Sequence, residues 1–176
     1  MSAPTLLPTG LPGPLPAAAT PEQLEALAGD LRAAGLEPLR SSGELEGLSS
    51  DAFVYSPVLQ PLLQGRRAQI GVRPSQRDQV PAIAAACARH GVSLTLRGAG
   101  TGNYGQCVPL AGGLVLDSSG LNRLLELNPA TGVFTAEPGL LLGDLEQLLR
   151  QRGHEPRLLP STVRSASLGG FVAGGS

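Results

Sequence analysis

The chain has 176 residues, 41% of them hydrophobic and 15% charged, with a formal net charge of −1. This describes a globular chain long enough to bury a hydrophobic core, not a disordered one. It lacks the basic surface that phosphate-gripping nucleic-acid binders carry, since Arg66-Arg67 is the only Lys/Arg pair.

Residues 1–19 are rich in Pro, Gly and Ala and read as a flexible tail. They have no basic start and no unbroken apolar stretch, so they do not form a secretory signal. No apolar run reaches membrane-span length. Cys87 and Cys107 do not make a disulfide framework, and a cytoplasmic location is expected.

Thr20-Pro21-Glu22-Gln23 predicts a helix start: Thr20 as N-cap, Pro21 in the first turn and Gln23 completing a capping box. The helix is expected to reach about Ala34, with Leu24, Leu27 and Leu31 on one face and Gly35 as its stop. Arg40 to Ser50 reads as a polar loop. Residues 20–60 are expected to form this helix and a linker, with the main domain over 61–176.

Arg67 to Arg73 is a strand candidate closed by Pro74. Ser75, with Asp78 three residues on, predicts a helix to about His90, with Val80, Ile83, Ala84 and Cys87 inward. Val92 to Arg97 and Gly113 to Asp117 read as strands. Leu124–Leu127 and Val133–Glu137 predict a hairpin around Asn128-Pro129-Ala130-Thr131-Gly132. A further helix is expected over Leu142 to Arg152, with Leu145, Leu148 and Leu149 inward. The stretch from Pro160 onward is small and glycine-rich and shows no capping or stop signal.

Arg97-Gly98-Ala99-Gly100-Thr101-Gly102-Asn103-Tyr104-Gly105-Gln106 is the most informative segment, with four glycines in ten residues. Without Cβ interference, successive backbone N–H groups can turn toward one point and bind phosphate oxygens. Arg97 is the loop's one cation, so amides carry most of the anion binding. Gly100 to Gly105 also satisfies G-x-G-x-x-G. A Rossmann loop, however, must open a helix at the pyrophosphate, whereas Pro109 and a strand follow here. No Gly-Lys-Ser/Thr is present for a Walker A loop. A merely tight loop is the plain structural alternative.

The ordered set of motifs resembles the p-cresol methylhydroxylase / vanillyl-alcohol oxidase family, in the branch of D-lactate dehydrogenases and the glycolate oxidase FAD subunit. Pro74 to Val80 matches its P-x-x-x-x-x-V helix, and Arg97 to Thr101 its R-G-x-G-T. Gly113 to Asp117 with Leu121-Asn122-Arg123-Leu124, Glu137-Pro138-Gly139, Gly153 to Ser161 and Ser167 to Gly170 follow in family order. A weaker match covers Asp51 to Ser56.

The resemblance implies an α+β, PCMH-type FAD-binding domain whose first lobe is complete and whose second lobe is cut short at Ser176. It implies that Gly98, Ala99, Gly100, Thr101, Gly102, Asn103, Gly105 and Gln106 line the FAD diphosphate and ribityl region. Pro138 and Gly139 fall near the adenine. Pro160, Ser161, Ser167, Gly169, Gly170 and Gly174 approach from the other side. Hydroxyls of Thr101, Ser161 and Ser167 are candidate donors. Relatives that attach flavin covalently use a histidine in the diphosphate loop. None lies between Arg97 and Gln106, so non-covalent FAD is expected.

The implied activity of the intact protein is oxidation of a small substrate, such as a 2-hydroxy acid, with the electron acceptor left open. Its proton-abstracting and carboxylate-binding residues are expected beyond Ser176, so none is assigned here. A site with one wall is expected to hold FAD weakly or not at all. A non-catalytic nucleotide-binding module derived from such an enzyme is the alternative. His90 and His154 read as helix-end residues, Cys87 and Cys107 as small buried residues, Asp144 and Glu146 as solvated charges. No cluster has metal-ligand spacing.

Overall fold

A computed structural model describes residues 17–53 and 56–175. Most of the predicted tail, and Val54 and Tyr55 of the upstream match, lie outside the described residues. The fold is α+β, with two small sheets and a hydrophobic core beside each.

The first core is built on a parallel sheet of β1 (Ile70–Val72), β2 (Leu94–Arg97) and β3 (Leu114–Asp117), in the order β1-β3-β2. Central β3 is buried along its whole length, which explains its continuous apolar run rather than an alternating one. α1 (Pro21–Ala33) and α4 (Gln79–His90) cover one face. Leu27, Ala28 and Leu31 of α1 meet Ile83, Ala86 and Cys87 of α4 over Ile70, Val72, Leu114 and Leu116.

The Thr20 capping box is present: Gln23 N donates to Thr20 Oγ1, and Thr20 N donates to Gln23 Oε1 at 2.8 Å. Gly91 ends α4 in the left-handed region at φ 62°. His90 does more than sit at that helix end. Its Nε2 lies 2.8 Å from Asp30 Oδ2, joining α4 to α1.

The other sheet face is covered by α2 (Ser42–Leu48), whose Leu48 packs with Ala68 and Val115. This corrects the polar-loop expectation for Arg40 to Ser50. Ser41 and Glu44 form a second capping box, and Leu45 and Leu48 supply the apolar side. A short α3 (Gln60–Leu63) follows. The strand expected over Arg67 to Arg73 is confined to Ile70–Val72. The helix expected from Ser75 starts at Gln79, because Gln79 Oε1 accepts from the amides of Ser75 and Gln76 and holds them in a turn.

β4 (Leu124–Leu127) and β5 (Phe134–Ala136) form the antiparallel hairpin. Asn128 Oδ1 accepts from Ala130 N and Thr131 N to set its turn. α5 (Leu142–Arg150) ends two residues short of Arg152 and packs Leu142, Leu145 and Leu149 onto the hairpin. The glycine-rich end is not shapeless. Leu168–Ala173 forms α6, capped by Ser167, with Leu168 and Phe171 against the second core. No described helix is long and apolar enough to cross a membrane.

Candidate functional site

Arg97 ends β2, and the chain reaches β3 through the glycine segment without forming a helix. The segment therefore emerges at the C-terminal ends of parallel strands, where open α/β sheets bind ligands. An open cleft of about 370 Å³ lies there. Gly98 and Ala99 line it, with Arg97, Arg73, Asp117 and Ser119 from the strand ends and Gly43, Glu44 and Gly47 from α2. Arg73 Nε donates to Asp117 Oδ2 at 2.8 Å, so the buried carboxylate in the cleft wall is matched.

Most loop amides are unspent. The N–H groups of Gly98, Gly100, Thr101, Gly102 and Asn103 donate to no acceptor among the described residues. Those of Ala99, Tyr104 and Gly105 do: to Ser167 Oγ at 3.2 Å, Gln106 Oε1 at 3.1 Å and Asp51 Oδ2 at 2.6 Å. A run of amides without protein acceptors, flanked by tied ones, leaves donors that only solvent or a ligand can satisfy. The side chains of Thr101 and Asn103 likewise make no hydrogen bond to described residues.

Close approach is sharpest in this loop at Gly98 and Gly100. A Cβ on Gly98 would collide with Ser167 Oγ. Gly100 has φ +69°, and a Cβ there would strike the Arg97 guanidinium folded beneath it. Arg97 does not reach outward as a free cation. Its Nη1 donates to Ser50 O at 2.8 Å and to Cys107 Sγ at 2.9 Å.

Motifs far apart in sequence converge on Gly98. Ser167 Oγ accepts from Ala99 N and, at 3.4 Å, from Gly170 N. Gly169 N donates to Pro138 O, and Leu168 N to Leu140 O, each at 2.8 Å. Gly139 N donates to Leu121 O at 2.7 Å. Gly98, Pro138, Gly139, Ser167, Gly169 and Gly170 thus form one contiguous cluster, of which Gly98 lines the cleft. Ser167 Oγ accepts two amides in this cluster, and its O–H, the donor the sequence suggested, has no acceptor among the described residues.

Pro160, Ser161 and Gly174 are not joined to the glycine loop by any hydrogen bond among the described residues. Pro160 O accepts from Val163 N in the turn that precedes Ala166, and Gly174 N donates to Gly170 O at the end of α6.

Buried Glu137, beside Pro138, is gripped by Arg123. Its Oε1 takes Nη2 at 2.8 Å, and its Oε2 takes Nε at 3.1 Å and the backbone N at 2.9 Å. Hydrogen bonding from Arg123 holds the Glu137 carboxyl below the usual value. Burial pushes the Cys87 thiol up to about 11. Burial, with the hydrogen bond to Asp51, pushes Cys107 up to about 12, so neither thiol is a ready nucleophile at neutral pH. No group of three or more His, Cys, Asp or Glu able to hold a metal occurs among the described residues.

The FAD binding domain family matches residues 68–176. The chain belongs to that family. Among curated relatives of this FAD binding domain, the glycolate oxidase subunit GlcD of Bacillus subtilis is 29% identical over 120 residues, covering 68% of this chain and 25% of the relative. The D-2-hydroxyglutarate dehydrogenase of Escherichia coli is 40% identical over 81 residues, covering 44% of this chain and 8% of the relative. The chain thus spans a quarter or less of either protein's length. A solved structure of p-cresol methylhydroxylase with substrate bound superposes with a TM-score of 0.67 over 86% of this chain and 29% of that one, at 17% identity. The PCMH-type fold expected for this FAD binding domain follows from that superposition.

The missed residues of the site are Asp51, which sequence reading placed only in a weak upstream match, and the inward turn of Arg97. A carboxylate 54 residues from the amide it binds leaves no local signal.

Proposed function

We propose that this chain holds FAD non-covalently and serves as the cofactor-binding portion of a cytoplasmic oxidoreductase acting on a small 2-hydroxy acid. The observation that carries the reading is the run of free amides at Gly98 and Gly100 to Asn103, in the segment whose Gly98 and Ala99 line the strand-end cleft. Those donors suit two linked phosphates, whose charge amides can meet without a free cation. Ala99, Gly105 and Gln106 keep the loop's shape. Pro138, Gly139, Ser167, Gly169 and Gly170 supply the adjoining wall, and small residues there let a cofactor lie against backbone. Pro160, Ser161 and Gly174 belong to the side facing the flavin in this reading.

FAD, when bound, supplies the acceptor for a hydride. The chain's own part is to bind it, orient it and keep carboxylates near it paired, as Asp117 and Glu137 are. The 2-hydroxy acid follows the glycolate and D-2-hydroxyglutarate of the relatives' names. The lack of a histidine between Arg97 and Gln106, where some similar proteins attach flavin, supports non-covalent attachment.

Titration with FAD and, separately, with NAD tests the reading. Weak but saturable FAD binding that ADP displaces is expected, with no NAD binding and no flavin left on the polypeptide after denaturation. NAD binding without FAD binding would contradict it, and flavin retained after denaturation would overturn the non-covalent part. ADP and FAD binding without any redox turnover of the intact protein would favour the non-catalytic module.

A further inference from the structure

The glycine loop is held from beneath by a segment that precedes the whole parallel sheet. Asp51 is 8% exposed, and both of its oxygens are used. Oδ2 accepts the Gly105 amide at 2.6 Å, and Oδ1 accepts the Cys107 thiol at 2.7 Å. Cys107 Sγ in turn accepts from Arg97, which also binds Ser50 O. Next to Asp51, Ala52 N donates to Gly100 O at 2.8 Å. Ser50, Asp51 and Ala52 therefore fix the loop at its start, its middle and its end.

We infer that Asp51 is a positioning residue for the anion site: its carboxylate holds Gly105 and Cys107 so that the amides of Gly100 to Asn103 stay free and fixed for a diphosphate. The inference rests on the FAD reading above. Its support is the geometry together with a conflict of sign. A carboxylate under an anion-binding loop opposes the ligand by its charge. Asp51 serves the site only if ordering the amides in advance outweighs that repulsion, since a loop ordered before binding loses less entropy on binding. Arg97 offsets the charge from the far side of Cys107, and the protonated thiol lets Cys107 donate to Asp51 rather than repel it.

The opposing signs make the test decisive. Asp51→Ala and Asp51→Asn are compared with the unaltered protein in two readouts. One is the rate at which each cysteine reacts with an aromatic disulfide, assigned by peptide mass. The other is affinity for FAD and for inorganic pyrophosphate. Cys87 lies in the first core and reports on the fold itself.

Asp51→Ala is expected to speed modification of Cys107 at least tenfold while Cys87 stays protected, and to weaken both ligands about tenfold or more, as loss of two hydrogen bonds from a charged acceptor implies. Asp51→Asn keeps an acceptor for Gly105 and is expected to fall between. Tighter pyrophosphate binding by Asp51→Ala would reduce Asp51 to a nearby charge and overturn the inference. Unchanged ligand affinity in both variants would overturn it too. If Cys87 also reacts in Asp51→Ala, the comparison passes to Asp51→Asn, and affinity equal to the unaltered protein's counts against the inference. If the unaltered protein takes up neither ligand, the FAD reading fails, and the thiol rates alone decide whether Asp51 holds the loop.

Discussion

Glu137 and Arg123 show how a single pair ties the end of one hairpin strand to the start of the other, beside Pro138. The carboxylate is 3% exposed and meets three donors from Arg123, two on the guanidinium and one on the backbone. Its folded-state pKa lies below the usual 4.5. The group is thus more readily ionised folded than unfolded, and the stability it contributes is complete above the unfolded value. That contribution fades as pH falls below 4.5 through the folded value. Urea unfolding of Glu137→Gln is expected to show lower stability at pH 7 and a shallower loss on going from pH 5 to pH 3. A variant with the same pH slope as the parent would exclude Glu137 as a source of acid sensitivity. At this scale the sequence made the close approach at Gly98 and Gly100 legible, because glycine alone lacks the Cβ that would collide there. It did not reveal Asp51, Arg97 or Glu137 as partners, because each gains its role from a contact made only on folding.

Among the elements, α5 illustrates the division of labour. Leu142, Leu145 and Leu149 are buried against the hairpin, while Glu146 pairs with Arg150 at the surface. Leu145→Ala is expected to cost about 2–5 kcal/mol, the usual range for a buried leucine, through lost transfer energy and a cavity. Leu125→Ala, on the exposed side of β4, is expected to stay within about 0.5 kcal/mol. Denaturant midpoints with unchanged slopes check both. Equal costs at the two positions would contradict the burial assigned to α5.

The elements legible in the sequence were those with strong local punctuation. These were the Thr20 box, the Gly91 stop, the Asn128 turn and the leucine spacing of α5. α2 was legible in principle, since Ser41-x-x-Glu44 is a capping box, but its seven residues and two glycines hid the apolar face. α6 was harder. Glycine is a poor helix former, and this short helix exists because Leu168 and Phe171 find the second core and Ser167 caps it.

For the molecule as a whole, the fold places one open cleft where three parallel strands end and brings the second core against it through Ser167 and Pro138. Contacts between the two cores beside the glycine loop explain why Gly98, Pro138, Ser167 and Gly170, far apart in sequence, meet at one place. Family membership and the superposition agree with this architecture. The motif order conveyed it in the sequence, whereas the packing of α1 and α2 on the sheet required coordinates. The proposed role of the free amides of Gly98 and Gly100 to Asn103 is to receive the phosphates of FAD. Amide NMR of the isotopically labelled chain titrated to millimolar FAD tests it most directly, since weak binding still moves resonances. Saturable shifts concentrated at Gly98 and Gly100 to Asn103 are expected, reproduced in part by pyrophosphate, with Gly29 and Gly35 unmoved. Shifts absent from those five amides, or confined to residues away from the loop, would contradict it.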